Sequence, residues 1–149
     1  MNIYLALQVT DLIHEQMLSL ALVSESGLEL YLESDSYPQE HLSSFAKEAI
    51  VPLLGRAAPD KAASNDELGQ KIADFLSKFT DIKILCHHNY EWWALLELLG
   101  KTVVPELQGE NISSSVDQMT LQSYFFKNAR HHALHRARGL KSSYRPVSA

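Results

Sequence analysis

The sequence predicts an α/β domain: a mixed sheet that begins as an antiparallel meander and is flanked by helices. Three observations predict it. The first 34 residues hold three apolar stretches with two-residue alternation, the mark of strands with one face buried. Beyond residue 64, segments of helical period alternate with short β-rich ones. A length of 149 residues with 46% hydrophobic content suits a single core, so residues 1–149 are expected to form one domain.

Residues 2–9 (NIYLALQV) predict the first strand, with Ile3, Leu5 and Leu7 on one face and Tyr4, Ala6 and Gln8 on the other. Residues 17–24 and 27–34 predict a hairpin across Ser24-Glu25-Ser26-Gly27, where Gly27 is free to take positive φ. Leu18, Leu20 and Leu22 then stand opposite Leu28, Leu30 and Leu32. A helix is expected over 41–54, burying Leu42, Phe45, Ala49 and Ile50, with Pro52 disturbing its end. The stretch 55–64 (GRAAPDKAAS) has loop composition. Ser64 and Glu67 make a capping box that opens a helix to about Phe79. Residues 82–86 predict a buried strand, and Asn89 caps a helix through Leu99 that Gly100 ends. Residues 102–107 predict the last strand, 108–115 a polar loop and 119–126 a helix. A final basic helix is expected from about Arg130, fraying after Gly139 into a loose tail from about 140.

Composition narrows the function. No run reaches the 18 or so apolar residues that a membrane-spanning helix needs, so no membrane partner is expected. The opening Met1-Asn2-Ile3-Tyr4 has no basic leader and reads as strand, not signal peptide. Cys86 is the only cysteine, which excludes an intramolecular disulfide and predicts a cytoplasmic setting. A net charge of −5 argues against a protein that coats nucleic acid over its whole surface. The charge is uneven: residues 1–126 carry seven Lys/Arg against eighteen Asp/Glu, whereas residues 127–149 carry six Lys/Arg and no acid. The basic end is either a phosphate-facing patch or a helix paired with acids elsewhere.

Three stretches together resemble the DEDD 3′–5′ exoribonucleases, the group that includes oligoribonuclease and ribonuclease T, and most of all a small bacterial exoribonuclease family. The first is Ala6-Leu7-Gln8-Val9-Thr10-Asp11-Leu12, where the family has Asp-x-Glu before a Thr-Asp-Leu-like turn. The hairpin LSLALVSESGLELYLESDSY matches the family's second and third strands. The second stretch is Asn89-Tyr90-Glu91-Trp92, where an Asp follows an aromatic. The third is His131-His132-Ala133-Leu134-His135-Arg136-Ala137-Arg138, where a His precedes an Asp by five residues. The resemblance covers nearly the whole chain and implies a ribonuclease-H-like three-layer fold. It also places the four metal-binding acids at Ala6, Gln8, Glu91 and Arg136, and the general base of the His-containing subgroup at His131.

Two-metal hydrolysis needs hard carboxylate ligands for a pair of Mg²⁺ or Mn²⁺ ions. The four matching positions carry 0, 0, −1 and +1 in this chain. At an effective dielectric near 20 and a separation of about 4 Å, a like unit charge costs roughly 4 kcal/mol, doubled for a divalent ion, so Arg136 repels what the family binds. The expectation is a pseudoenzyme without bound metal, in which Arg136 takes the metal's place and pairs with Glu91 while Ala6 leaves room for it. Asp11 and Asp117 lack the alternate-residue strand placement that a rescue would need.

Other residues have plainer readings. His131 with His135, and His132 with His135, have the spacing of helix-borne metal ligands, but no helical Glu stands between them to serve a zinc enzyme. Cys86, His87 and His88 diverge at a strand end, with Cys86 a core thiol. Of Trp92 and Trp93, one should pack on the sheet and the other is free to stack on a base. Tyr124, Phe125 and Phe126 suit a core or a homodimer interface better than RNA. Arg130, Arg138 and Trp92 are the expected contacts to RNA or another single-stranded nucleic acid. Three functions stay open: a non-catalytic nucleic-acid-binding or interaction module, a residually active exoribonuclease using Glu91 and His131, and a structural partner protein without nucleic acid.

Overall fold

The computed structural model describes residues 1–56, 60–62 and 64–147, the segment 60–62 by its backbone alone. Strands β1 (Asn2–Val9), β2 (Met17–Ser24) and β3 (Glu29–Ser34) form the antiparallel meander, with Gly27 in the β2–β3 turn at φ +101°. Then follow β4 (Asp60–Ala62), α1 (Asn65–Leu76), β5 (Ile82–Cys86), α2 (Asn89–Leu99), β6 (Leu107–Asn111), α3 (Gln118–Lys127) and α4 (Ala133–Ser143). The six strands make one mixed sheet in the order β4-β3-β2-β1-β5-β6, with β4, β5 and β6 parallel to their neighbours.

Alternation along β1 separates the two faces, as its sequence pattern requires. Ile3, Leu5 and Leu7 join Leu20, Leu22 and Ile84 in the main core. Leu68, Ile72 and Leu76 of α1 and Leu95, Leu98 and Leu99 of α2 close that core. On the opposite face Ala6, Ala21 and Val23 meet Ala133, Leu134 and Ala137 of α4. Tyr4 and Leu85 pack there with Leu140. Helices on both faces of a mixed sheet with a leading meander give the three-layer, ribonuclease-H-like arrangement.

Several elements depart from the sequence pattern for physical reasons. In the hairpin, Leu22 and Leu20 do pair with Leu30 and Leu32, but Leu28 precedes β3 and Leu18 packs elsewhere, on Leu42, Ala46 and Ile50. The helix expected over 41–54 is broken into 3₁₀ turns at Gln39–His41 and Val51–Leu53 around a π turn at Ala46–Ile50. Pro52 has no N–H, and the Val51 N–H reaches back five residues to the Ala46 carbonyl. Leu42, Ala46 and Ile50 are its buried positions, and Phe45 is left more than half exposed. Strand β4 lies in the stretch with loop composition, because its contribution is backbone pairing to β3. The last strand is β6, not 102–107: it sits at the sheet edge, where polar residues serve as well as apolar ones. Ser64 caps α1 through the Glu67 N–H, but α2 is capped at His88, one residue before Asn89. Helix α4 starts only at Ala133, after His132 in extended conformation, where its first small residues reach the sheet. The chain beyond Gly139 stays helical to Ser143. Tyr144 then bridges to Val116, and the Arg145 N–H donates to the Ser115 carbonyl at 2.7 Å, so residues up to 145 are not the loose tail expected.

Candidate functional site

The parallel β1/β5 ladder ends at Tyr4 and Leu85, and the backbone of β1 beyond it is free to bond something else. A crevice of this kind, at the carboxyl ends of parallel strands, is where open α/β sheets bind ligands. Here the first turn of α2 fills its depth. Glu91 is fully buried, and its carboxylate accepts the Leu7 N–H at 2.9 Å and the His88 N–H at 3.0 Å. Arg136, on α4, brings Nη2 to 3.4 Å from Oε2 of Glu91, with its side chain only 16% exposed. Helix α2 covers one face of the sheet and α4 the other, so the ion pair joins the two outer layers. This is the pair that the sequence predicts.

Burial pushes the Glu91 carboxyl up, against the pull of the Arg136 guanidinium and of the two backbone N–H donors. Such a pair contributes little net stability, because desolvating both charges offsets their attraction. Removing one partner is another matter, since the remaining charge stays buried.

In front of Arg136 lies a cleft of about 300 Å³. Ala6 and Gln8 of β1 form part of its floor, and His87, His88, Tyr90, Gln122, Phe125, Arg130, His131 and Arg136 are among its walls. Gln8 is held by donating Nε2 to the His131 carbonyl at 3.2 Å, and Phe45 meets the His131 ring edge to face at 4.9 Å. Arg130 lies over the Phe125 ring, 5.3 Å from its centroid, and donates to Gln122. Among the described residues, no Asp or Glu side chain lines the cleft. Burial and nearby arginines lower the pKa of His131, and burial, His88 and Arg136 lower that of His87. His88 is lowered by burial and by Arg136. The arginines therefore supply the positive charge at neutral pH.

Ala6, Gln8, His131 and Arg136, far apart in sequence, line one cleft, and Glu91 stands directly behind Arg136. The donor set does not fit a pair of divalent ions. Ala6 offers no ligand atom, Gln8 only an uncharged amide oxygen, Glu91 accepts two backbone N–H groups, and a guanidinium stands beside it. Asp11 and Asp117 do not come to the rescue. Asp11 accepts from the Ile13 and His14 backbone and the His14 ring, and Asp117 caps α3 through Met119 and Thr120. Among the described residues, no group of three His, Cys, Asp or Glu side chains is placed to hold a metal ion.

Other expected contacts lie elsewhere. Arg138 forms a two-pronged bond to Glu29, at 2.7 Å for each nitrogen, outside the cleft. The basic C-terminal segment thus divides its charges: Arg136 and Arg138 pair with acids, and Arg130 faces the cleft. Trp92 packs against the core and over Gly109, where even a Cβ would come within 2.5 Å of its ring, so it is unavailable for stacking. The exposed tryptophan is Trp93, at 63%. His131 and His132 precede α4, so the helical spacing to His135 does not apply to them. Burial raises the Cys86 thiol to about 11, as befits a core thiol.

Sequence reasoning missed Phe45, His87, His88 and Tyr90 as cleft residues. The signal was present for the histidines, which follow directly on the end of β5 at the mouth of the crevice. No protein-family model matches the chain, and no curated protein is significantly similar to it.

Proposed function

We propose that this chain is a degenerate relative of the DEDD 3′–5′ exoribonucleases that has lost two-metal hydrolysis and persists as a metal-free binding module for nucleic acid. The observation that carries the reading is the Glu91–Arg136 pair, with the one acid among the four metal-ligand positions neutralised by the one cation. The architecture supports it, since a leading meander followed by parallel strands is what the resemblance implies. His131, the residue matched to the family's general base, lines the same cleft, and where the donor set holds no metal pair a general base would lack the activated water that two-metal hydrolysis supplies.

A short end-labelled RNA incubated with purified protein and Mn²⁺ tests the loss of hydrolysis. The expected outcome is intact RNA at every metal concentration; metal-dependent trimming that disappears in Glu91→Gln would establish a working nuclease instead. Binding of the same RNA across a salt series tests the module: phosphate contacts give an affinity that falls steeply with salt. Absence of binding at low salt would leave an interaction protein that does not touch nucleic acid.

A further inference from the structure

Resting on that reading of the cleft, we infer that Arg130 and Arg136 form a metal-independent site for a phosphate monoester dianion, carried on a flat or apolar body. The cleft concentrates cationic and neutral donors in a protein whose net charge is −5, and no carboxylate lines it among the described residues. An acidic protein with such a lining attracts an anion at this place rather than over its surface. Arg136 is hydrogen-bonded to Glu91 and to Tyr90, which leaves part of a fork of five N–H donors, a group suited to oxyanions, for a ligand. Glu91 lies behind Arg136, outside the cleft lining, with both oxygens accepting backbone N–H groups, so it opposes the ligand by its charge and not by occupying the site. Arg136 is half of an ion pair, so Arg130, hydrogen-bonded to the neutral Gln122, supplies the attraction, and a dianion gains more from it than the single charge of a carboxylate or a phosphodiester does.

The volume limits the guest. A cleft of about 300 Å³ is at the small end of ligand sites and holds a phosphate with one attached ring, not a run of nucleotides. Phe45, Tyr90 and Gln8 are shared with a second, largely apolar groove, bordered by Val9, Leu12, Ile13 and Ile50 and also by Asp11, whose carboxylate is held by the His14 ring and the Ile13 and His14 N–H groups. Leu12 and Ile13 are 73% and 86% exposed, an apolar pair that the body of the same ligand would cover.

Titration calorimetry with phenyl phosphate, inorganic phosphate and methyl phenyl phosphate, without metal and with EDTA, tests the site. Phenyl phosphate is expected to bind tightest, inorganic phosphate more weakly for want of a body, and the singly charged diester weakest. Arg130→Gln, a change at an exposed side chain, should weaken phenyl phosphate by roughly tenfold or more. Arg136→Gln should do the same if it folds, and Glu91→Gln should tighten binding severalfold by removing the charge behind Arg136. No heat with any phosphate, a diester that equals the monoester, or affinity unchanged in Arg130→Gln would overturn the inference. Competition by a short RNA bearing a 3′-phosphate, but not by its hydroxyl-ended form, would identify a nucleic-acid end as the source. Competition by neither would identify a small phosphomonoester. Failure of the functional reading is read separately, because metal-dependent RNA trimming by the wild type sinks that reading, whereas missing phosphate binding without trimming sinks only this inference.

Discussion

The two faces of the sheet are built from different chemistry. Toward α1 and α2 the strands present Ile3, Leu5, Leu7, Leu20, Leu22 and Ile84, an aliphatic layer that a buried polar side chain, Ser24, enters at the end of β2. Toward α3 and α4 they present Ala6, Gln8, Ser19, Ala21 and Tyr31, and there α4 adds Ala133, Ala137 and the buried His132 at its start. Large side chains on the first face fill space and stabilise by burial, on the order of 2 kcal/mol for each leucine. Small ones on the second let α4 approach β1 and β2 closely and leave room at the β1 end for the cleft. The same strands thus hold the fold with one set of alternate residues and present the binding chemistry with the other.

The largest effect expected from this division is on the aliphatic face. Leu20→Ala, at a fully buried position, should cost about 4 kcal/mol in urea unfolding, and Val23→Ala, on the same strand facing α4, about half as much. Equal costs would mean that both faces carry stability alike. Next in size is Arg136→Leu, which leaves Glu91 buried beside two N–H donors but no cation, at a cost of about 3 kcal/mol. Adding Glu91→Leu should restore part of that loss, because removing both charges also removes their desolvation. A single Arg136→Leu variant as stable as wild type would show that the two N–H groups suffice for Glu91 and that the pair contributes nothing.

The division also explains what the sequence could reveal. The aliphatic face was legible because its alternation in 2–9 and 17–24 and its helical period in α1 are consequences of burial alone. The Glu91–Arg136 pair was legible because two unusual residues stood at positions matched by a resemblance. What stayed hidden depends on backbone geometry that side-chain pattern does not encode. Strand β6 (LQGEN) is polar because it lies at an edge, and β4 is three residues of backbone pairing. The end of α3 and the late start of α4, which swing Arg130 and His131 to the cleft mouth, follow from tertiary packing of Ala133 and Ala137. Trp92 could not be told from Trp93 without knowing that Gly109 lies beneath it.

The smallest effect concerns pH, and it sharpens the comparison most directly because only one face carries buried imidazoles. His132 is 4% exposed, and neither ring nitrogen has a hydrogen-bond partner; its ring lies 4.8 Å from Tyr31 and 5.1 Å from His135. Burial lowers its pKa, followed by His135, with Glu33 pulling the other way and Arg138 and Arg56 adding to the fall. Nearby, Glu33 accepts the Tyr31 hydroxyl at 2.6 Å and the Gly55 N–H, so it is already occupied as a counter-charge. With the folded pKa below the ordinary 6.5, the unfolded chain takes the proton first, and stability is full above that value and declines as pH falls below it. One such group contributes a slope of at most about 1.4 kcal/mol per pH unit. In His132→Phe the ring stays against Tyr31 and the titrating nitrogens are gone. Denaturation measured at pH 7.5 and pH 5.5 should therefore show the variant losing less stability on acidification than the wild type, by about 1 kcal/mol. An identical loss in both proteins would mean that His132 is protonated without penalty in the folded state, and the second face would then be polar but not dry.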